Sequence, residues 1–525
     1  MTEHAAPRAL PRAGTREHDP EAPVTTATPA TSATTSLSLS TLSDITGADV
    51  PAYARKDLTA GIVHLGVGNF HRAHQIVYLD RLFNRGLDRD WAVIGAGVKP
   101  YDAAMRERLK RQDWLSTVVE LDPGGLTARV TGAMIDFAEV DPDAIVAVLE
   151  RPEIRIVSMT ITEGGYYVDA TTGGFDAGHP EMVADAANPD APASSFGILL
   201  KALRRRRAAG TAPFTVMSCD NLPENGHVAR NTVLGLARMS DPDFSEWVAE
   251  NVAFPSSMVD CITPATSERE KALLRERFGI EDAAPVACEP FRQWVMEDRF
   301  PAGRPQLEEV GVQFVEDVAP YELMKLRILN GGHAAIAYPS ALLGYHFVHD
   351  AMADPLIAGF LRTLAHAEII PTVPPIAGVD FAAYFDLIAS RFSNPEVGDT
   401  IPRLCLDGSN RQPKFILPTV QARLEANADL AGLALEVALW CRYCAGTAED
   451  GSAFEIVDER AAELTRRALA ARETPQAFLD FTPVFGDLGR RQPFADAFAR
   501  VLGALWADGV RPVLTRYIES GAAGR

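Results

Sequence analysis

The chain has 525 residues, too many for one compact core, and its 47% hydrophobic and 23% charged content is that of an ordinary globular protein. A formal charge of -20 argues against nucleic acid or an anionic membrane surface as partner, because the average field repels both. Six cysteines in so long a chain make no disulfide framework and point to reduced thiols and a cytoplasmic setting. Residues 1–36 are rich in Ala, Thr, Pro and Ser and read as a disordered tail, since they cannot bury enough apolar surface to offset their ordering entropy. Neither a signal peptide nor an apolar span long enough for a bilayer is expected.

Ordered structure is expected from Gly61, where a short apolar strand runs into Gly66-Val-Gly68 and then into a helix reaching about Gly86. That order suits a dinucleotide: Gly66 permits a tight turn, Gly68 lets the backbone approach a pyrophosphate, and the helix N-terminus offers free amides beside Asn69 and Phe70. The third glycine of the usual pattern is His71. A second strand, Trp91 to Val98, precedes a helix from Asp102 to Gln112, and its tip carries Lys99 before the first acid, Asp102. An acid there favours NAD and a base accommodates NADP, so the residues alone leave the choice open.

Strands are expected from Ile154 to Ile161 and from Phe214 to Cys219, with a helix from Phe196 to Arg207 between them. Thr160 to Tyr166 and Ser218 to Gly226 would then project from carboxyl ends of parallel strands, where open α/β sheets bind ligands. The basic run Lys201 to Arg207 reads as the solvated end of its helix. A last short strand falls at Val310 to Val318. Beyond about residue 315 the spacing turns helical: 341–349, 355–369, 381–392, 419–425, 430–444, 461–471 and 494–507. Cys441 and Cys444 lie in one of these runs and read as core. The organisation expected is α/β: a Rossmann-type doubly wound domain over 37–314 and a mostly α-helical substrate domain over 315–525.

The segment Tyr321 to Pro339 reads as a helix with Lys325, Asn330 and His333 among apolar neighbours. At about 100° per residue, Asn330 and His333 fall within roughly 140° of Lys325. Gly331 and Gly332 each cost about 1 kcal/mol in a helix unless something approaches the backbone there. A secondary alcohol giving up hydride needs a base for its hydroxyl proton and donors for the developing alkoxide. Lys325 can be that base if burial lowers its pKa, Asn221 and Asn330 can donate to the oxygen, and His333 can bond a neighbouring hydroxyl. Asp260 is a further candidate hydroxyl ligand, and Glu163 could relay the proton to solvent. The pairs His71/His74 and His346/His349 lack a third ligand at motif spacing, so no metal is expected. No Gly-x-Ser-x-Gly turn marks an α/β hydrolase.

Gly66 to His74, Thr160 to Tyr166, Ser218 to Gly226 and Lys325 to His333, in that order, resemble the polyol-specific long-chain dehydrogenases, most closely their mannitol-oxidising branch. The resemblance covers about residue 37 to the end. It implies metal-independent interconversion of D-mannitol and D-fructose with a nicotinamide cofactor. The family's lysine, oxyanion asparagines and histidine match Lys325, Asn221, Asn330 and His333, and its cofactor loop matches Gly66, Gly68 and Phe70. NAD is favoured over NADP, although Lys99 and Pro100 stand where NAD-specific relatives often carry an acid. Cys261 replaces an arginine common in the family, which leaves arabinitol, fructuronate and tagaturonate as alternative substrates. Arg403 and Arg411, in polar loops, could contact distal hydroxyls or a carboxylate. The resemblance leans towards a monomer. A reading from a different class is a dinucleotide-binding redox sensor without turnover.

Overall fold

The computed structural model describes residues 34–169 and 172–523, which divide into two compact units with the boundary between Ala319 and Pro320. Most of the expected tail, up to residue 33, lies outside the described residues. Its last residues are not a tail: Thr35–Ser36 pairs in parallel with Ile280–Glu281, and Leu37 is buried.

The first unit is organised by five parallel strands: β1 (Ala60–Leu65), β2 (Ala92–Ala96), β3 (Met134–Phe137), β4 (Ile156–Met159) and β5 (Thr215–Ser218). Their order is β3-β2-β1-β4-β5, so the winding reverses between β1 and β4. Crevices at such reversals are where doubly wound sheets bind ligands. Helices cover both faces, which is why β1, β2, β4 and β5 are buried throughout and read as short apolar runs. Two three-stranded sheets, not legible as such in the sequence, extend this unit. One joins Ser116–Glu120 to Thr127–Thr131 and Val286–Cys288; the other sets Gln293–Glu297 between Ser257–Asp260 and Gln313–Val315.

The basic run does end a helix, Ser195–Ala209, closed by Gly210 at φ 69°. It is not wholly solvated. Lys201 is buried against Asp143, and Arg206 is buried and donates to the carbonyls of Leu149, Arg151 and Ala212. Its guanidinium therefore ties the helix end to two loops, a structural use of charge that composition does not reveal.

The second unit is helical, with Ala431–Cys444 almost wholly buried at its centre against Gln492–Asp508. Cys441 and Cys444 are free and buried there. Glu368 caps that central helix, accepting from Gly432 N and Leu433 N at 2.7 and 2.9 Å. Helices Phe381–Phe392 and Ala461–Ala471 fall where the spacing puts them. The helix expected at 341–349 does not form: Gly331–Leu342 ends first, Gly344 turns at φ 81°, and Val348–Ala353 begins a new helix. The polar stretch carrying Arg403 and Arg411 is not loop but two short helices, Ile401–Cys405 and Gly408–Phe415. Thr400 caps the first through Arg403 N, and Pro402 suits a helix start.

Candidate active site

At the end of β1 the chain turns through Gly66 at φ 93°, where an added Cβ would lie 2.1 Å from the carbonyl oxygen of Thr160. Only glycine fits. Gly68 is exposed, and a Cβ there would meet nothing nearer than 3.9 Å, so its backbone is open to a close ligand. Gly68 N-caps the helix Asn69–Ala73 without any side-chain cap. A cradle of this shape fits a pyrophosphate. Asn69 is turned inward: its amide donates to Thr266 Oγ1 at 3.2 Å and its oxygen accepts from Arg72 at 2.8 Å. Phe70 stacks on His74 at 4.8 Å.

His71, standing where the third glycine is usual, stacks on His64 of β1 at 3.5 Å between ring centroids. A flat ring lying on a flat ring brings helix and strand together without the missing glycine. Burial pushes His64 down to about 3 and holds His71 well below the usual histidine range. Both rings are therefore neutral at working pH. His64 is also fixed by Ser158 Oγ at 2.8 Å and Thr160 Oγ1 at 2.9 Å. His74 bonds the carbonyl of Gln293 at 3.0 Å, and His349 pairs with Asp350, so neither histidine pair acts as a unit; among the described residues no group of three or more metal-ligating side chains gathers.

The loops after β4 and β5 are locked together by Asp220, which sequence reasoning passed over in favour of its neighbour Asn221. Its carboxylate accepts from Ile161 N and Thr162 N, both at 2.9 Å, and from Tyr166 OH at 2.6 Å. This network holds Thr162 at φ 63°, ψ 164°, a conformation that costs a β-branched residue on the order of 1–3 kcal/mol. Asn225 completes the brace with bonds to Asp220 O, Ser257 O and Ser257 N. Asn221 and Glu163 are exposed in these loops, with Thr162 next to Glu163 and Glu224, three residues after Asn221, held at φ 63° and 50°. Asp260 is buried at the end of its strand opposite Gln293.

At the tip of β2, Asp102 folds back and accepts from Lys99 N at 2.9 Å. Lys99 Nζ reaches Glu181 at 3.3 Å, a partner 82 residues away that no local pattern could suggest.

In the helical unit the expected 321–339 helix is three pieces: Ala319–Met324, a π-helical stretch Lys325–Asn330, and Gly331–Leu342. The i→i+5 pattern carries the chain about one turn from Lys325 to Asn330, so the wider winding brings these two side chains onto one face. An α-helix would hold them roughly 140° apart. Lys325 and His333 are buried and Asn330 is half-buried. His333 stacks on Phe392 at 4.0 Å. Burial, reinforced by Arg403, Arg411 and Arg391, keeps His333 neutral, well below the usual range. Its Nε2 is buried without a hydrogen-bond partner among the described residues, as expected of an atom that a ligand hydroxyl completes. Arg403 is exposed and paired with Asp399, and Arg411 donates to Leu404 O at 2.6 Å. Glu322, buried one turn before Lys325, also escaped the sequence reading, although its i, i+3 spacing to the lysine was available.

A Cβ at Gly331 would lie 3.4 Å from Phe415 O, and one at Gly332 would lie 3.5 Å from Leu361 and Phe392. These are near-ordinary contacts, so packing within this unit demands neither glycine.

Residues 60–309 match the mannitol dehydrogenase Rossmann domain and residues 317–506 the mannitol dehydrogenase C-terminal domain. Mannitol 2-dehydrogenase of Cereibacter sphaeroides is 57% identical over 472 residues, 90% of this chain and 98% of that one. The enzyme of the same name from Phaeosphaeria nodorum is 42% identical over 495 residues, 93% of this chain and 86% of its own. Among solved structures, the Pseudomonas fluorescens mannitol 2-dehydrogenase ternary complex with NAD and D-mannitol is 41% identical with a TM-score of 0.81, covering 92% of this chain and all of that one. A substrate-free D-sorbitol dehydrogenase is 37% identical with a TM-score of 0.86, covering 91% of this chain and all of its own. With both domains matched in order, the chain belongs to the mannitol dehydrogenase family.

Proposed function

We propose that the protein is a polyol dehydrogenase that oxidises D-mannitol at C2 to D-fructose with NAD. The observation that carries this reading is the 57% identity to a mannitol 2-dehydrogenase over 98% of that protein's length. The residues fit the cofactor: the Gly66 turn and the open Gly68 backbone would hold the pyrophosphate, with Phe70 beside them. The bound nicotinamide supplies the hydride acceptor. Lys325 takes the hydroxyl proton, which requires its buried amine to be neutral when substrate is bound. Asn330, turned onto the lysine's face, and Asn221 donate to the oxygen as charge develops there. His333 meets an adjacent hydroxyl through Nε2, and Asp260, Arg403 and Arg411 address the rest of the polyol. Either Glu163 or Glu322 passes the proton outward; Glu322 is favoured by its position one turn from Lys325.

The three neutral histidines, His64, His71 and His333, do not titrate across the working range. A pH dependence above 7 then does not come from these rings. Mannitol oxidation should rise with pH and fructose reduction should fall. A flat oxidation profile from pH 6 to 10, with chemistry rate-limiting, would remove Lys325 from the role. Substrate is tested with mannitol, sorbitol, arabinitol, fructose and fructuronate against both nicotinamide cofactors; activity confined to sorbitol or to a uronate overturns the mannitol reading. The reading also takes the enzyme to work as a monomer in a reducing cytoplasm. Six free, buried cysteines support the compartment, and sedimentation tests the monomer. No described helix is long and apolar enough to cross a membrane.

A further inference from the structure

We infer that Glu181 is the acid that selects NAD over NADP in this chain, supplied to the tip of β2 from a distant helix and acting together with Lys99. The inference rests on the nucleotide-binding reading above. In a doubly wound fold the adenosine ribose lies at this tip, where a carboxylate accepts from the 2′-hydroxyl and a base welcomes a 2′-phosphate. Read locally, the tip favours the phosphate: Lys99 comes first, and the only nearby acid, Asp102, is turned back onto Lys99 N at 2.9 Å.

The helix Pro180–Ala187 alters that balance. Glu181, in its first turn, places Oε2 3.3 Å from Lys99 Nζ and 2.7 Å from Tyr167 OH. Its own amide is held by His179 Nδ1 at 3.3 Å, and the His179 ring packs edge-on against Tyr167 at 4.7 Å. The carboxylate is thus positioned from two sides, while over two-fifths of both the lysine and glutamate side chains remains exposed to a ligand. The hydrogen bond from Tyr167, with help from Lys99, keeps its carboxyl below the usual range, so it is ionised at working pH. An ionised Glu181 can accept from a ribose hydroxyl, repels a 2′-phosphate, and occupies Lys99, which would otherwise bind that phosphate. Tyr167 is a positioning residue in this arrangement.

The test is equilibrium binding of NADH and NADPH to the full-length protein, followed by protein fluorescence without substrate. In Glu181→Gln, NADPH should bind about tenfold tighter, the scale of one charged hydrogen-bond partner gained, and NADH should bind weaker. Adding Lys99→Met should abolish the NADPH gain, and Tyr167→Phe should shift the ratio in the same direction by less. An NADPH-to-NADH affinity ratio in Glu181→Gln within about twofold of wild type overturns the inference. If wild type binds NADH but the ratio does not move, only the role of Glu181 falls. If wild type binds neither nucleotide, the proposed function falls with it.

Discussion

Two buried polar sites, one in each unit, are built in opposite ways. In the sheet unit, Asp220 receives two backbone amides and a tyrosine hydroxyl, and Asn225 is bonded to three backbone groups. In the helical unit, Glu436 is fully buried with one hydrogen bond, from Gln412, and His333 Nε2 has no partner among the described residues. Saturated networks fix loops in strained shapes and hold a backbone cradle still. Unsaturated groups are expensive to keep and are left available for titration or for a ligand.

The strongest way to break this contrast is Lys325→Ala. It should lower turnover by roughly 10²- to 10⁴-fold while NADH binding changes little, because the cradle lies in the other unit. Stopped-flow turnover and fluorescence titration separate the two; near-normal turnover would sink the base assignment. Next comes Glu436, whose carboxyl burial pushes up to about 8. Its pKa is raised on folding, so its contribution to stability is complete below about pH 4.5 and is lost as pH rises to about 8. That loss is on the order of 5 kcal/mol. Denaturant unfolding at pH 5 and pH 9 should show the difference in wild type, and Glu436→Gln should shrink it.

Gly66→Ala should cost on the order of 3 kcal/mol and the nucleotide site with it, since the new Cβ meets Thr160 O and the backbone is left-handed. Thermal unfolding and NADH titration would show both losses together. The smallest effect is expected at Gly332→Ala. Packing leaves room for the methyl group and helix propensity favours it by about 1 kcal/mol, so stability should hold or rise. A fall in turnover with stability intact would mean that a bound ligand, not the protein, needs that glycine.

Legibility followed local constraint and not that divide. The Gly66 turn, β1, β2, β4 and β5 could be read because a buried parallel strand and a left-handed turn each constrain residue type. β3 was missed: four residues, Met134 to Phe137, with Asp136 among them, carry too little pattern. The helices bearing Arg403 and Arg411 looked like loop because Pro402, Pro413, Asn410 and Gly408 are turn formers unless their exact position in a helix is known. Glu181 and Asp220 depend on partners far along the chain or on a neighbouring loop, which composition and periodicity cannot supply. The π-helical winding was invisible for a simpler reason: a window scored at 100° per residue has no means of registering a wider turn.

That wider turn ties the chemistry of the segment to its folding. Rewinding the same six residues as an α-helix, with none removed, would rotate every later position by about 100° relative to the residues before it. Ile336, Tyr338 and Leu342, all buried, would swing off the core along with His333. The winding that aligns lysine with asparagine is the same winding that seats the helix, so these residues cannot rewind to an α-helix without the loss being felt as misfolding first.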